Sequence, residues 1–148
     1  MLVSEIMTAK PITVGLDDSL RVAIARMRDN NCRRLPVLNS TGALAGIITD
    51  RDTRLALHSP YTLHEEWENE KLLESVRVRV AMTPAPITVE PTTDVIEAVR
   101  LMTTSQIGGL PVLWDETLVG IVTSSDVMMA FVRHLRSEEH AVRTVRSS

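Results

Sequence analysis

Two short stretches carry the residue types that could do chemistry. Thr49-Asp50-Arg51-Asp52 and Thr123-Ser124-Ser125-Asp126 each set a threonine three residues before an aspartate. At a strand-to-helix junction the threonine hydroxyl lies beside free helix N-terminal N–H groups, which favour phosphate oxygens. The aspartate one turn later offers two acceptor oxygens, suited to the adjacent hydroxyls of a ribose. The same spacing is also a helix capping box, with Thr as N-cap and Asp at N3, and local sequence leaves both readings open. Arg33 and Arg34 stand before Leu35-Pro36, while Gly108 and Gly109 hold the equivalent places before Leu110-Pro111. An arginine pair is either solvated surface or a bidentate grip for phosphate oxygens. Two glycines permit close backbone approach, or serve only a turn. Ile12, Ile87 and the two Leu-Pro-Val segments offer apolar walls for a purine, with backbone groups to read its edge.

Catalytic patterns are weaker. His58, His64, His134 and His140 lack the H-E-x-x-H spacing of a metal helix, and no G-x-S-x-G or Gly-rich phosphate loop occurs. Cys32 sits beside two arginines with no histidine in register as a base, so its expected role is a small, partly buried side chain. The sequence therefore predicts ligand binding without catalysis, no catalytic cofactor and no metal site.

Composition narrows the partners. The 148 residues carry 16 Lys plus Arg against 19 Asp plus Glu, a net charge of −3, and Trp67, Trp114, Tyr61 and Phe131 are the only aromatic rings. That balance gives no general field for DNA or an acidic membrane, and four rings make no stacking platform for single strands. No apolar run nears the roughly 20 residues of a membrane span, and Met1 to Lys10 has no signal-peptide pattern. The expectation is a soluble, cytoplasmic protein with an aliphatic core that contacts neither nucleic acid nor membrane.

The elements that must position these residues occur twice. Residues 7–38 lie over 82–113 at an offset of 75, matching Met7-Thr8 with Met82-Thr83, Pro11-Ile12-Thr13-Val14 with Pro86-Ile87-Thr88-Val89, and Leu35-Pro36-Val37-Leu38 with Leu110-Pro111-Val112-Leu113. After a slip in a turn the offset is 74, pairing Gly46-Ile47-Ile48-Thr49 with Gly120-Ile121-Val122-Thr123 and Asp52 with Asp126. Each copy predicts a strand at Ile12–Val14 or its equivalent, a helix capped by Ser19 or Asp94, a hairpin, and a second helix after Thr49 or Thr123. Residues 55–77 read as an acidic, solvated linking helix and 137–148 as a frayed, flexible tail.

Two copies of Met-Thr, Pro-Ile-Thr-Val, an amphipathic helix, Leu-Pro-Val and Gly-x-x-Thr-x-x-Asp resemble a stand-alone tandem pair of CBS domains, the cystathionine β-synthase type module. The resemblance implies an α/β fold, two β-α-β-β-α repeats (1–54 and 78–136) related by a pseudo-twofold axis, with two clefts between them. It implies adenosyl ligands: AMP, ADP or ATP first, S-adenosylmethionine or NAD as further candidates. By resemblance one cleft combines Thr123 and Asp126 with Ile12, Arg33, Arg34, Leu35 and Pro36. A second, weaker cleft combines Thr49 and Asp52 with Ile87, Gly108, Gly109, Leu110 and Pro111, and only the first has arginines. The expected role is a regulatory sensor acting on an unidentified regulated protein; the alternative is a ligand-free structural module for dimerisation or docking. Narrow Ala and Met helix faces (Ala23, Met27, Ala98, Met102), more readily packing than ligand contacts, together with the resemblance predict a homodimer.

Overall fold

The computed structural model describes residues 1–57 and 66–146, so His58, Tyr61, His64 and the last two serines lie outside the described residues. The first copy runs α1 (Val3–Ile6), β1 (Thr8–Ala9), β2 (Val14–Gly15), α2 (Leu20–Asp29), β3 (Arg34–Leu38), β4 (Leu44–Thr49) and α3 (Asp50–Leu57). After α4 (Glu66–Ser75) the second copy runs α5 (Val78–Ala81), β5 (Thr83–Pro84), α6 (Val95–Ser105), β6 (Gly109–Trp114), β7 (Thr117–Thr123) and α7 (Ser124–Arg146). Among the described residues no helix is long and apolar enough to cross a membrane.

Local chemistry explains the boundaries. Ser19 accepts a hydrogen bond from the Val22 N–H at the start of α2, and Asp94 accepts from Ile96 at the start of α6, each satisfying a donor that the helix cannot. Both helices bury a stripe at helical spacing, Leu20, Ala23 and Met27 in one and Ala98 and Met102 in the other. The hairpins share one register: Leu35 faces Ile48 and Leu110 faces Val122, with a bulge after Val37 and after Val112. The slip in the repeat falls in the turn between these strands. The first turn folds around the Asn39 side chain, which accepts from the Thr41 and Ala43 N–H groups, with Gly42 at φ +82°. The second is the tighter Asp115-Glu116 pair, both at positive φ.

The two sheets exchange their first strands. β1 pairs antiparallel with β7 of the other copy (Thr8 with Ile121), and β5 pairs with β4 (Ile47 with Thr83). The helical turns before them cross over as well. Val3 is buried in the core of the second copy with Val89, Ala98, Leu110, Val112 and Val122, and Val78 in that of the first with Val14, Leu35, Val37 and Ile48. Reciprocal contacts of this kind express the pseudo-twofold relation. The crossing requires glycine on the receiving strand. A Cβ on Gly46 would stand 2.6 Å from Met82 Sδ and 2.7 Å from the Thr83 carbonyl oxygen, and one on Gly120 2.6 Å from Met7 Sδ and 3.0 Å from the Thr8 carbonyl oxygen. Gly46→Ala and Gly120→Ala should each cost about 1–3 kcal/mol through this overpacking, visible as a lower denaturant midpoint at unchanged slope.

Four expectations are corrected. Strand β2 begins at Val14, so Ile12 lies in the extended connection before it and is part-exposed; Pro11 has no N–H for a ladder. The linker helix α4 forms over 66–75, but Leu73 and Val76 pack on the first core and Arg21 pairs with Glu70 and Glu74, so the helix is docked. Residues 137–146, read as a frayed tail, continue α7. They contain no Gly or Pro, and a His134–Glu138 pair at 3.4 Å bridges one turn of the polar extension. Finally, Ala23, Met27, Ala98 and Met102 are all buried inside their own copies and offer nothing to a second molecule. An exposed apolar stripe runs instead along α7, where Met128, Phe131, Leu135, Val142 and Val145 recur at spacings of three, four or seven residues.

Candidate functional site

Strands β4 and β7 end where helices α3 and α7 begin, beside the starts of β3 and β6, and the crossing of the two copies leaves a cavity at each junction. The larger, about 600 Å³, is lined by Thr123, Ser124, Ser125 and Asp126 of the second copy and by Thr8, Ile12, Arg33, Arg34 and Pro36 of the first, with Asn30, Asn31 and Cys32 at its edge. The smaller, about 310 Å³, is lined by Thr49, Asp50, Arg51, Asp52 and Arg54 and by Thr83, Gln106, Ile107, Gly108 and Gly109. Both volumes fall in the range of small-molecule pockets. The cross-copy assembly places Thr123 and Asp126 with Ile12, Arg33, Arg34 and Pro36, and Thr49 and Asp52 with Gly108 and Gly109.

Other expected residues stand elsewhere. Leu35 and Leu110 are fully buried in the two cores, because their positions in β3 and β6 point to the sheet face that α2 and α6 cover. Pro111 is likewise buried, and Ile87, though part-exposed, is not in the wall of the smaller cavity. The arginines are not confined to one cleft: Arg33 and Arg34 line both cavities, and Arg51 and Arg54 add to the smaller. Sequence reasoning missed Ser124, Ser125, Asn30 and Asn31. The serines were visible inside the Thr-x-x-Asp motif itself, whereas nothing in the sequence marked the asparagines at the end of α2.

Both Thr-x-x-Asp motifs form capping boxes. The Thr123 N–H donates to Asp126 Oδ2 at 2.8 Å, and the Asp126 N–H donates to Thr123 Oγ1 at 3.3 Å. The Thr49 and Asp52 counterparts are 2.9 and 3.1 Å. The first helical N–H is also committed, Ser124 to the Gly108 carbonyl oxygen at 3.0 Å and Asp50 to that of Arg33 at 2.8 Å. Of the donors at the start of α7, the Ser125 N–H is the one with no bonded partner among the described residues. An anion there would meet that N–H and two serine hydroxyls. Each capping carboxylate uses only Oδ2 in these bonds, so Oδ1 is left as an acceptor beside the cavity.

Arg34 dominates the electrostatics. Its side chain lies flat on the second copy: a Cβ on Gly108 would stand 2.7 Å from both Nη1 and Nη2, and one on Gly109 2.6 Å from Nη1. Gly108 and Gly109 thus make the seat for this guanidinium. Burial, and then repulsion from Arg33, lower its pKa, yet an arginine remains cationic at neutral pH. No acidic side chain lies within ion-pair distance of Arg33 or Arg34 among the described residues, whereas Arg54 is bound by Asp50 at 2.6 Å. A half-buried cation without a counter-ion is costly, and an anionic ligand relieves that cost. Cys32 is the opposite case: burial raises its pKa, with a smaller opposing contribution from a backbone hydrogen bond at Arg34, so it stays a thiol at neutral pH. Among the described residues no group of three or more His, Cys, Asp or Glu is placed to hold a metal ion.

Known proteins share this fold. The CBS domain pattern matches residues 3–59 and 76–133, once for each copy. A CBS domain-containing protein of Dictyostelium discoideum is 38% identical over 136 residues, covering 91% of this chain and 94% of its own length. The solved CBS domain pair of protein MJ0100, in complex with 5′-methylthioadenosine and S-adenosyl-L-methionine, is 29% identical with a TM-score of 0.76, covering 90% of this chain and 98% of its own. CBSX2 in complex with AMP is 27% identical with a TM-score of 0.75, covering 89% and 97%. The chain belongs to the CBS domain family and is a tandem pair of such domains.

Proposed function

We propose that this chain is a regulatory module that binds an adenine nucleotide, AMP, ADP or ATP, in the larger cavity without turning it over. The observation that carries the reading is Arg34, a half-buried guanidinium without an acidic partner among the described residues, which lines the larger cavity together with Arg33, Ser125 and Asp126. Phosphate would take the arginines and the start of α7, ribose the free Oδ1 of Asp126, and the base the apolar wall near Ile12 and Pro36. The adenosyl ligands of MJ0100 and CBSX2 support the ligand class. S-adenosylmethionine carries no phosphate for the arginines, so it ranks behind the nucleotides. Thermal shift with AMP, ADP, ATP, S-adenosylmethionine and NAD tests this, since a ligand at about 100 times its dissociation constant adds about 2.7 kcal/mol of stability. The reading predicts a shift with a nucleotide; silence from the whole panel at millimolar concentration contradicts it.

The second reading, a structural module for dimerisation or docking, is favoured by the exposed α7 face, where Met128 and Phe131 are each 60% exposed. The two readings are compatible, and a cytoplasmic homodimer that signals to a regulated protein combines them. Sedimentation at micromolar concentration should give a dimer that Phe131→Glu converts to monomer, because a symmetric interface places the new charge in it twice. A monomer from the unaltered chain contradicts the dimer.

A further inference from the structure

We infer that the two cavities compete for one cation, Arg34, so that an anionic ligand in one weakens anion binding in the other. The inference rests on the nucleotide reading above. Arg34 and Arg33 line both cavities, and their pseudo-twofold counterparts are Gly108 and Gly109, so the strand ends supply one arginine pair for two sites. The seat on Gly108 and Gly109 holds the Arg34 guanidinium at the boundary between the clefts, where the glycines leave no room for a second side chain of the same kind. The first anion therefore gains the full relief of an uncompensated cation. The second meets a guanidinium already neutralised, with a like charge close behind it. Uncharged adenosyl ligands, which do not draw on Arg34, escape the linkage, so the module distinguishes a pair of anions from one anion accompanied by a neutral nucleoside.

Ser125 lines the larger cavity alone, so Ser125→Glu places a fixed anion there and Ser125→Gln fills the same space without charge. AMP and adenosine are titrated into both variants, with the amide signals of Gln106 and Gly109, which line the smaller cavity alone, as reporters. The expected result is AMP affinity at the smaller cavity about tenfold or more lower in Ser125→Glu than in Ser125→Gln, with adenosine binding the two alike. In an Arg34→Gln background the difference should vanish. Equal AMP affinities in the two variants overturn the linkage, and a difference that survives Arg34→Gln overturns the role of Arg34. Absence of both ligands from the unaltered chain removes the nucleotide reading and the linkage with it.

Discussion

Arg34→Ala is expected to weaken AMP binding by about ten- to a hundredfold, because hydrogen bonds to a charged group contribute about 1.5–3 kcal/mol, while adenosine binding barely changes. The unliganded protein should not suffer in proportion. In the absence of an anion Arg34 is a half-buried charge with no acidic partner among the described residues, and removing such a charge relieves desolvation even as it opens space above Gly108 and Gly109. Calorimetry with both ligands, beside a melt of the free protein, reads the two effects separately. Equal losses for AMP and adenosine would show that Arg34 supports the shape of the cleft, not the phosphate. AMP binding should also weaken as salt rises, since the pair it forms is only half-buried.

Asp126→Ala has the second large effect, and the capping box makes it double. Loss of the bond from the Thr123 N–H to Oδ2 should lower stability by about 1 kcal/mol. If Oδ1 holds the ribose, affinity for AMP and adenosine falls together by about ten- to a hundredfold. Asp52→Ala removes the matching cap of α3 and serves as the control, with a similar stability loss and little change at the larger cavity. An Asp126→Ala protein that loses stability but keeps its affinity would leave Asp126 as a cap alone.

Much of the architecture was legible because it is written twice. The Ser19 and Asp94 caps, the buried stripes of α2 and α6 and the Leu-Pro-Val hairpins all follow from periodicity and end chemistry, and the repeat exposes the slip between Asn39 and Ala43 as a turn of different length. The exchange of β1 and β5 was not legible, since strands of two residues have no period to detect. Its trace is indirect: Met-Thr and Gly46 or Gly120 recur together because the first packs onto the second. The helical extension of α7 was hidden for another reason: past Leu135 its apolar stripe thins to Val142 and Val145, too sparse a pattern to announce a helix.

At the site, the residue types were legible and their sharing was not. Thr-x-x-Asp predicted both a cap and a cleft, and the structure realises the cap while setting the same residues on the cavity wall. Reading Arg33 and Arg34 as belonging to one cleft followed the resemblance, which assigns each strand to the cleft of the other copy's Thr-x-x-Asp, although Arg34 also lies directly beside Thr49 of its own copy. An arginine is long enough to reach the pseudo-twofold boundary, and Gly108 and Gly109 clear its path, so one pair faces both cavities.

The central claim is that the larger cavity takes an adenine nucleotide, and a crystal structure of the chain grown with AMP tests it most directly. The account predicts phosphate oxygens within hydrogen-bond distance of the Arg34 guanidinium and the Ser125 N–H, with the ribose hydroxyls on Asp126. AMP bound solely against Thr49, Asp52 and Gly109, or a larger cavity left empty at saturating AMP, would contradict it.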